Sequence, residues 1–185
     1  MKIGILTIID NNNYGNRLQN YAISFILEKC GAYSETILNS SYLNEKKMFI
    51  SRLIYNKLKR IIKKPDIFCD REKNFELFNY NINFSLKKVT AFSKITKYDF
   101  VISGSDQVWN PTFGRLRDVD LLCFVEPHKR IAFSASFGVS YIPKNMKSKV
   151  GKALEKFKAI SVREDAGKKI VEDLTGRTDA EVLID

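Results

Sequence analysis

What most constrains the fold is a recurring order of segments: a short apolar run, a small polar loop, then a stretch with helical spacing. Lys2 to Ile9 is nearly all apolar and rich in Ile and Leu. That suits a central parallel strand, covered on both faces. The loop from Asp10 to Asn16 follows, with Asn and Gly residues that tolerate positive φ. Asn16 or Gly15 is the expected cap of a helix over Arg17 to Lys29, with Leu18, Ala22, Phe25 and Ile26 on one face. Gly31 stands where a left-handed glycine ends a helix, and Tyr33 to Leu38 suits a second strand.

The order returns later in the chain. Tyr98 to Ile102 reads as an apolar strand that breaks at a small polar loop, Ser103-Gly104-Ser105-Asp106. Gly104 lets the backbone turn sharply or approach a ligand, and Ser105 or Asp106 suits a helix N-cap. Trp109 is the only tryptophan, and Pro111 ends whatever turn starts at Asp106. Arg130 to Gly138 is a strand running into a small-residue turn. A basic helix is expected over Asn145 to Lys158, then a short strand over Ala159 to Val162 with Arg163-Glu164-Asp165 at its carboxyl end. A helix over Ala166 to Leu174, closed by Gly176, and a strand over Glu181 to Ile184 complete the chain. This alternation predicts an α/β fold with a doubly wound, Rossmann-like parallel sheet, as a single domain over residues 1–185.

In such sheets ligands bind beyond the carboxyl ends of the strands. Loops 12–17, 103–110 and 163–165 fall there, with 134–138 a fourth candidate. The first also opens a helix, where free N–H groups and the dipole favour anions. It lacks the glycine pattern of a dinucleotide site. Arg17, in the expected first helical turn, opposes the dipole. A bound phosphate or carboxylate would explain it, and so would a solvated arginine.

Other stretches point less clearly to a site. Glu45 to Lys64 holds eight basic residues against one acid, with Leu53, Ile54, Leu58, Ile61 and Ile62 at helical spacing before Pro65. Such a basic amphipathic helix either covers the sheet with its charges in water or lies on an anionic membrane surface or acidic polymer. Asp66 to Tyr80 reads as a helix with Phe68, Phe75 and Phe78 inward, and Leu86 to Thr96 is ambiguous. Thr112 to Asp118 is an exposed loop carrying Arg115 and Arg117. His128, the only histidine, sits in a loop with no Cys, Ser or acid motif beside it.

Composition sets outer bounds. A chain of 185 residues, 44% hydrophobic and 28% charged, is that of a globular protein. Its net charge of +10 suits an acidic partner or simply a basic surface. Cys30, Cys69 and Cys123 have no metal-ligand spacing and read as reduced thiols of a cytoplasmic protein. The apolar run at the amino terminus is too short for a signal peptide and lacks a cleavage site. No run reaches the roughly 18 apolar residues of a membrane span. The basic motifs interleaved with aromatics that nucleic-acid binding requires are missing, so no nucleic-acid partner is expected.

Four motifs in order carry a resemblance: Asn13 to Ala22, the stretch Gly104-Ser105-Asp106-Gln107-Val108-Trp109-Asn110-Pro111, Ala135-Ser136-Phe137-Gly138, and Ser161-Val162-Arg163-Glu164 with Gly167. The second is the most distinctive. Together they resemble the amino-terminal half of the polysaccharide pyruvyl transferase family. The resemblance implies the first domain of a glycosyltransferase-B-like pair, with a general acid expected on the second domain; the chain is then a fragment, or another chain supplies the rest, or the half has lost activity. It implies transfer of a pyruvyl group from phosphoenolpyruvate to a sugar of an exopolysaccharide, cell-wall polymer or lipid-linked precursor. Phosphoenolpyruvate is then a substrate, and no cofactor or metal is implied. Peripheral contact with the inner membrane face is compatible with such a substrate.

Carried onto this sequence, the resemblance implies catalytic roles for Asp106 and Arg163. It implies substrate binding by Asn16, Arg17, Ser103, Gly104, Ser105, Gln107 and Asn110. Arginine suits a dense anion, through bidentate contacts, and Asp106 suits a sugar hydroxyl. The plainer roles are an N-cap for Asp106 and an ion pair with Glu164 or Asp165 for Arg163. Two other functions fit the same residues. One is a non-catalytic module holding anionic glycan through Lys46 to Lys64, and the other is half of a nucleotide-sugar glycosyltransferase.

Overall fold

The computed structural model describes residues 1–10, 13–39, 67–85 and 88–184. The basic segment expected to be helical over Glu45 to Lys64 lies outside these residues, as does the Cys69 side chain. Six strands form one sheet: β1 (Lys2–Leu6), β2 (Tyr33–Thr36), β3 (Phe100–Asp106), β4 (Arg130–Ala135), β5 (Ala159–Val162) and β6 (Glu181–Val182). Among the described residues, four α-helices accompany them: α1 (Tyr14–Lys29), α2 (Ile67–Asn79), α3 (Lys144–Leu154) and α4 (Asp165–Thr175). All neighbouring strands are parallel, in the order β2-β1-β3-β4-β5-β6. The doubly wound α/β expectation therefore holds. Among the described residues, no helix is long and apolar enough to cross a membrane.

The order carries a functional consequence. Winding runs outward from β1 to β2, then returns across β1 to β3 and continues to β6. The direction of winding reverses between β1 and β3, and the loops leaving their carboxyl ends diverge and open a crevice. The sheet separates two apolar layers. Ile3 and Ile102 pack with Ala32 and, from α1, Leu27. Leu6 and Val101 belong to the larger layer, with Trp109, Val150, Leu154 and Ile170. Thus α1 covers one face and α3 with α4 the other, as parallel strands require.

Several boundaries differ from the expected ones, each for a local reason. β3 runs through Ser103 to Asp106, which were expected to form a loop. It is a central strand, and Leu6, Ala132, Phe133 and Ala135 all give ladder partners to its polar end. Gly104 makes this possible: its φ is +129°, and a Cβ there would lie 2.0 Å from the Phe133 carbonyl oxygen. β1 ends early, at Leu6, because the next residues bond sideways: Thr7 donates to the Ser105 carbonyl (3.1 Å), and the Ile8 carbonyl accepts from Arg17 (2.7 Å). α1 begins three residues before Arg17 and is capped by Asn13, whose side chain accepts from the Asn16 N–H (3.3 Å). α3 stops at Leu154 because Phe157 turns inward, edge-on to Trp109 with ring centroids 5.6 Å apart.

The orientation of α1 is the largest departure. Leu18, Phe25 and Ile26, which an ordinary amphipathic helix turns inward, face out. Its buried residues are Asn16, Arg17, Asn20 and Ile23. Buried polar groups need partners, and these have them. The Asn20 amide and the Thr36 hydroxyl exchange bonds of 2.8 and 3.2 Å, and the Arg17 guanidinium also reaches Asn20 (3.3 Å).

Candidate functional site

A pocket of about 300 Å³ opens at the β1/β3 crevice. Its walls come from both diverging loops. Ile8, Asp10, Asn13 and Asn16 follow β1, while Asp106 ends β3 and Gln107, Phe113 and Arg115 follow it.

Asp106 is the hub. It ends β3 in a left-handed conformation, φ +77°, which Asp tolerates better than most side chains. Its backbone carbonyl accepts from the Val108 N–H (2.7 Å) and the Ser136 N–H (2.9 Å), tying the β3 loop to the end of β4. One carboxylate oxygen accepts a hydrogen bond from the Asn16 amide. The other lies 3.7 Å from Arg163 Nη1. The carboxylate thus joins α1, β3 and the end of β5.

Arg163 stands between two acids. Its Nε lies 3.7 Å from Glu164, and its Nη2 donates to the Ser136 hydroxyl (3.3 Å). Glu164 in turn accepts from the Ser136 hydroxyl (2.9 Å) and from the N–H groups of Phe137 (3.1 Å) and Gly138 (3.4 Å). The carboxylate therefore shapes the turn after β4 as well as facing Arg163. Gly138, φ +60°, has no room for a side chain: a Cβ would meet Asn110 Nδ2 at 2.5 Å and Gln107 Oε1 at 2.8 Å.

Behind the rim, the loop after β3 is anchored by its tryptophan. Trp109 is fully buried, its ring 5.1 Å from that of Phe137. Its Nε1–H donates to the Asp120 carbonyl (3.1 Å), which also accepts from the Ser103 hydroxyl (2.9 Å). Asn110 caps the short turn Pro111–Phe113 through the Thr112 N–H (2.9 Å) and bonds to Gln107 Oε1 (2.7 Å).

The sequence-derived candidates accordingly sort by position. Asn16, Asp106 and Gln107 line the pocket, and Arg163 joins through Asp106. Ser103, Gly104 and Ser105 are buried within β3, and Asn110 is buried in the turn beyond it. Arg17 is 1% exposed and braces the first loop from beneath through the Ile8 carbonyl. His128 precedes β4 and so lies at the opposite, amino end of the strands.

Some wall residues were not singled out from sequence. Asp10 and Asn13 sit in an asparagine-rich loop that reads as a generic turn. Phe113 and Arg115 follow a proline and look like exposed loop. Glu164 looked only like a partner for Arg163; its three donors on the Ser136 turn come from residues 26–28 positions away.

No curated protein and no solved structure matches the chain. The polysaccharide pyruvyl transferase family profile matches residues 13–185. The match begins at Asn13, which caps α1, and takes in the Asp106, Ser136 and Arg163 loops that meet at the rim. The chain belongs to the polysaccharide pyruvyl transferase family.

Proposed function

We propose that the chain transfers a pyruvyl group from phosphoenolpyruvate to a sugar of an exopolysaccharide or cell-wall polymer precursor. The observation that most supports this reading is the Asn16–Asp106–Arg163 constellation at the crevice rim. It sets a hydrogen-bond acceptor for a sugar hydroxyl beside a guanidinium for an anionic donor.

The reaction needs both. The donor methylene carbon gains a proton, a sugar hydroxyl oxygen bonds to the adjacent carbon, and phosphate leaves. A second hydroxyl of the same sugar then closes the ketal. The two hydroxyls release two protons; the methyl group keeps one and the phosphate takes the other. Asp106 orients the first hydroxyl and accepts its proton, with the Asn16 amide fixing the carboxylate. Asn16 and Gln107 offer amides to the remaining hydroxyls.

Charge balance shapes the donor's place. Asp106 and Glu164 both offset Arg163, so a trianionic donor requires further cations. Arg115, on the same pocket wall, supplies one. We place the rest, with the general acid, on a second α/β domain facing this rim, since closing a cleft around both substrates orders them for attack.

Thermal unfolding in the presence of ligand tests the reading. Phosphoenolpyruvate at about 100 times its Kd should stabilise the protein by about 2.7 kcal/mol, and Arg163→Ala should remove that gain. Stabilisation by nucleoside-diphosphate sugars, with none by phosphoenolpyruvate, would favour a nucleotide-sugar transferase instead.

A further inference from the structure

Phe113 stands in the wall of the β1/β3 pocket, and the proposed chemistry leaves it without a task. It is 67% exposed. A single exposed phenylalanine is ordinary, but this one is held in place by the turn that carries it. Asn110 is buried, and its side-chain oxygen accepts from the Thr112 N–H (2.9 Å) and the Thr112 hydroxyl (2.7 Å). Its backbone carbonyl accepts from the N–H groups of Phe113 and Arg115, at 3.3 Å each. Gly114 closes the turn at φ +64°. A bonded turn therefore keeps a large apolar ring at the edge of a polar pocket. We infer that Phe113 is the platform on which the pyranose ring of the acceptor stacks, so that the pocket is the carbohydrate subsite. This rests on the proposed reading of the site as one that takes a sugar, and adds which surface of the sugar is recognised.

The composition of the wall decides the ligand class. Asp10, Asn13, Asn16, Asp106 and Gln107 supply carboxylates and amides to it. Amides both donate and accept, and carboxylates accept; neighbouring sugar hydroxyls, which do both, match such a set. Among the described lining residues, Phe113 is the single aromatic ring. The face of an aromatic ring carries negative potential. It attracts the C–H hydrogens on one side of a pyranose and does not attract a phosphate or carboxylate. Charge agrees with this, since the two aspartates outnumber Arg115 on the wall. A neutral polyol suits that balance better than a trianion does. A nucleotide base would also stack on the ring, but it brings phosphates that Asp10 and Asp106 oppose. The volume of about 300 Å³ is at the small end of ligand clefts, which suits one ring.

Titration with neutral methyl glycosides of galactose, mannose, glucose and N-acetylglucosamine tests the inference, read by nuclear magnetic resonance of the Asn16 and Gln107 side-chain amides. At least one glycoside should shift both signals in a saturable way. Phe113→Ala should weaken that glycoside by about three- to tenfold, the scale of one aromatic stacking contact. Phe113→Leu, apolar but without a π face, should weaken it too, and Phe113→Trp should retain it. Affinity unchanged in Phe113→Ala or in Phe113→Leu overturns the inference, as does the absence of a saturable shift with all four glycosides. Displacement of the bound glycoside by phosphoenolpyruvate also overturns it, by assigning the pocket to the donor. Thermal stabilisation by phosphoenolpyruvate separates this inference from the reaction it rests on. Stabilisation without any glycoside binding sinks the stacking platform and leaves the donor reading standing. Glycoside binding that depends on Phe113, without stabilisation, supports the platform and counts against the transfer.

Discussion

The two ends of the sheet both carry charged clusters, and they are built differently. At the amino end, Glu35 accepts from Lys97 (2.6 Å) and the Tyr98 hydroxyl (2.7 Å) and pairs with Lys2 (2.8 Å). Burial opposes the Glu35 charge, but these donors outweigh it and hold the carboxyl at about 2. One acid there has three donors at close range. At the carboxyl end the ratio reverses: one guanidinium, Arg163, is shared by two carboxylates, each 3.7 Å away. The first cluster is satisfied from within and stabilises the fold. In the second the two ion pairs are long, 3.7 Å each, and face a pocket, while Asn16 and the Ser136 turn hold the two carboxylates through hydrogen bonds. The contrast separates a structural ion network from a site more sharply than counting charges does.

The comparison can be broken at several points. The largest effect is expected from Gly104→Ala, since its Cβ would overlap the Phe133 carbonyl at 2.0 Å and its φ of +129° is strained for any side chain. It should abolish folding or cost more than about 3 kcal/mol in chemical denaturation. Trp109→Ala follows, at about 3–5 kcal/mol, through loss of the core anchor behind the site.

Asp106→Asn sharpens the contrast by sparing stability and removing function. The proposed pyruvyl transfer, assayed with a second α/β domain supplied, should fall by about 10²–10⁴-fold, while the denaturation midpoint stays within the range of a surface change. At the amino end the pattern should invert. Glu35→Gln should leave transfer unaltered and cost about 1 kcal/mol, the scale of a partly exposed ion network.

The smallest effect is in pH dependence. The folded Glu35 carboxyl sits at about 2, below its ordinary 4.5, so its contribution is present above about 4.5 and is lost as pH falls from there toward 2. Stability measured across that window should decline less steeply in Glu35→Gln than in the parent.

Sequence reading recovered what local pattern encodes. β5 matches its expected bounds, and the sheet was legible because buried parallel strands are continuous apolar runs. The polar end of β3 was not, since Ser103 to Asp106 look like loop until strands on both sides supply ladder partners. The facing of α1 was hidden for a related reason. Its apolar spacing is clear, but Asn16, Arg17 and Asn20 turn inward because Asp106 accepts from the first, the Ile8 carbonyl accepts from the second, and Thr36 exchanges hydrogen bonds with the third. In the site, Asp106 and Arg163 stood out as charges at strand ends. The structural use of Glu164 depends on a turn after a different strand, which spacing along the chain does not reveal.

The central claim is that the carboxyl rim, and not the amino rim, receives the donor. Titration with phosphoenolpyruvate, followed by nuclear magnetic resonance of the side-chain amides, tests it most directly. The account predicts that the Asn16 and Gln107 amide signals move in a saturable way while resonances of Lys2, Glu35 and Lys97 stay fixed. Shifts centred on Lys2, Glu35 and Lys97, with Asn16 and Gln107 unmoved, would contradict it.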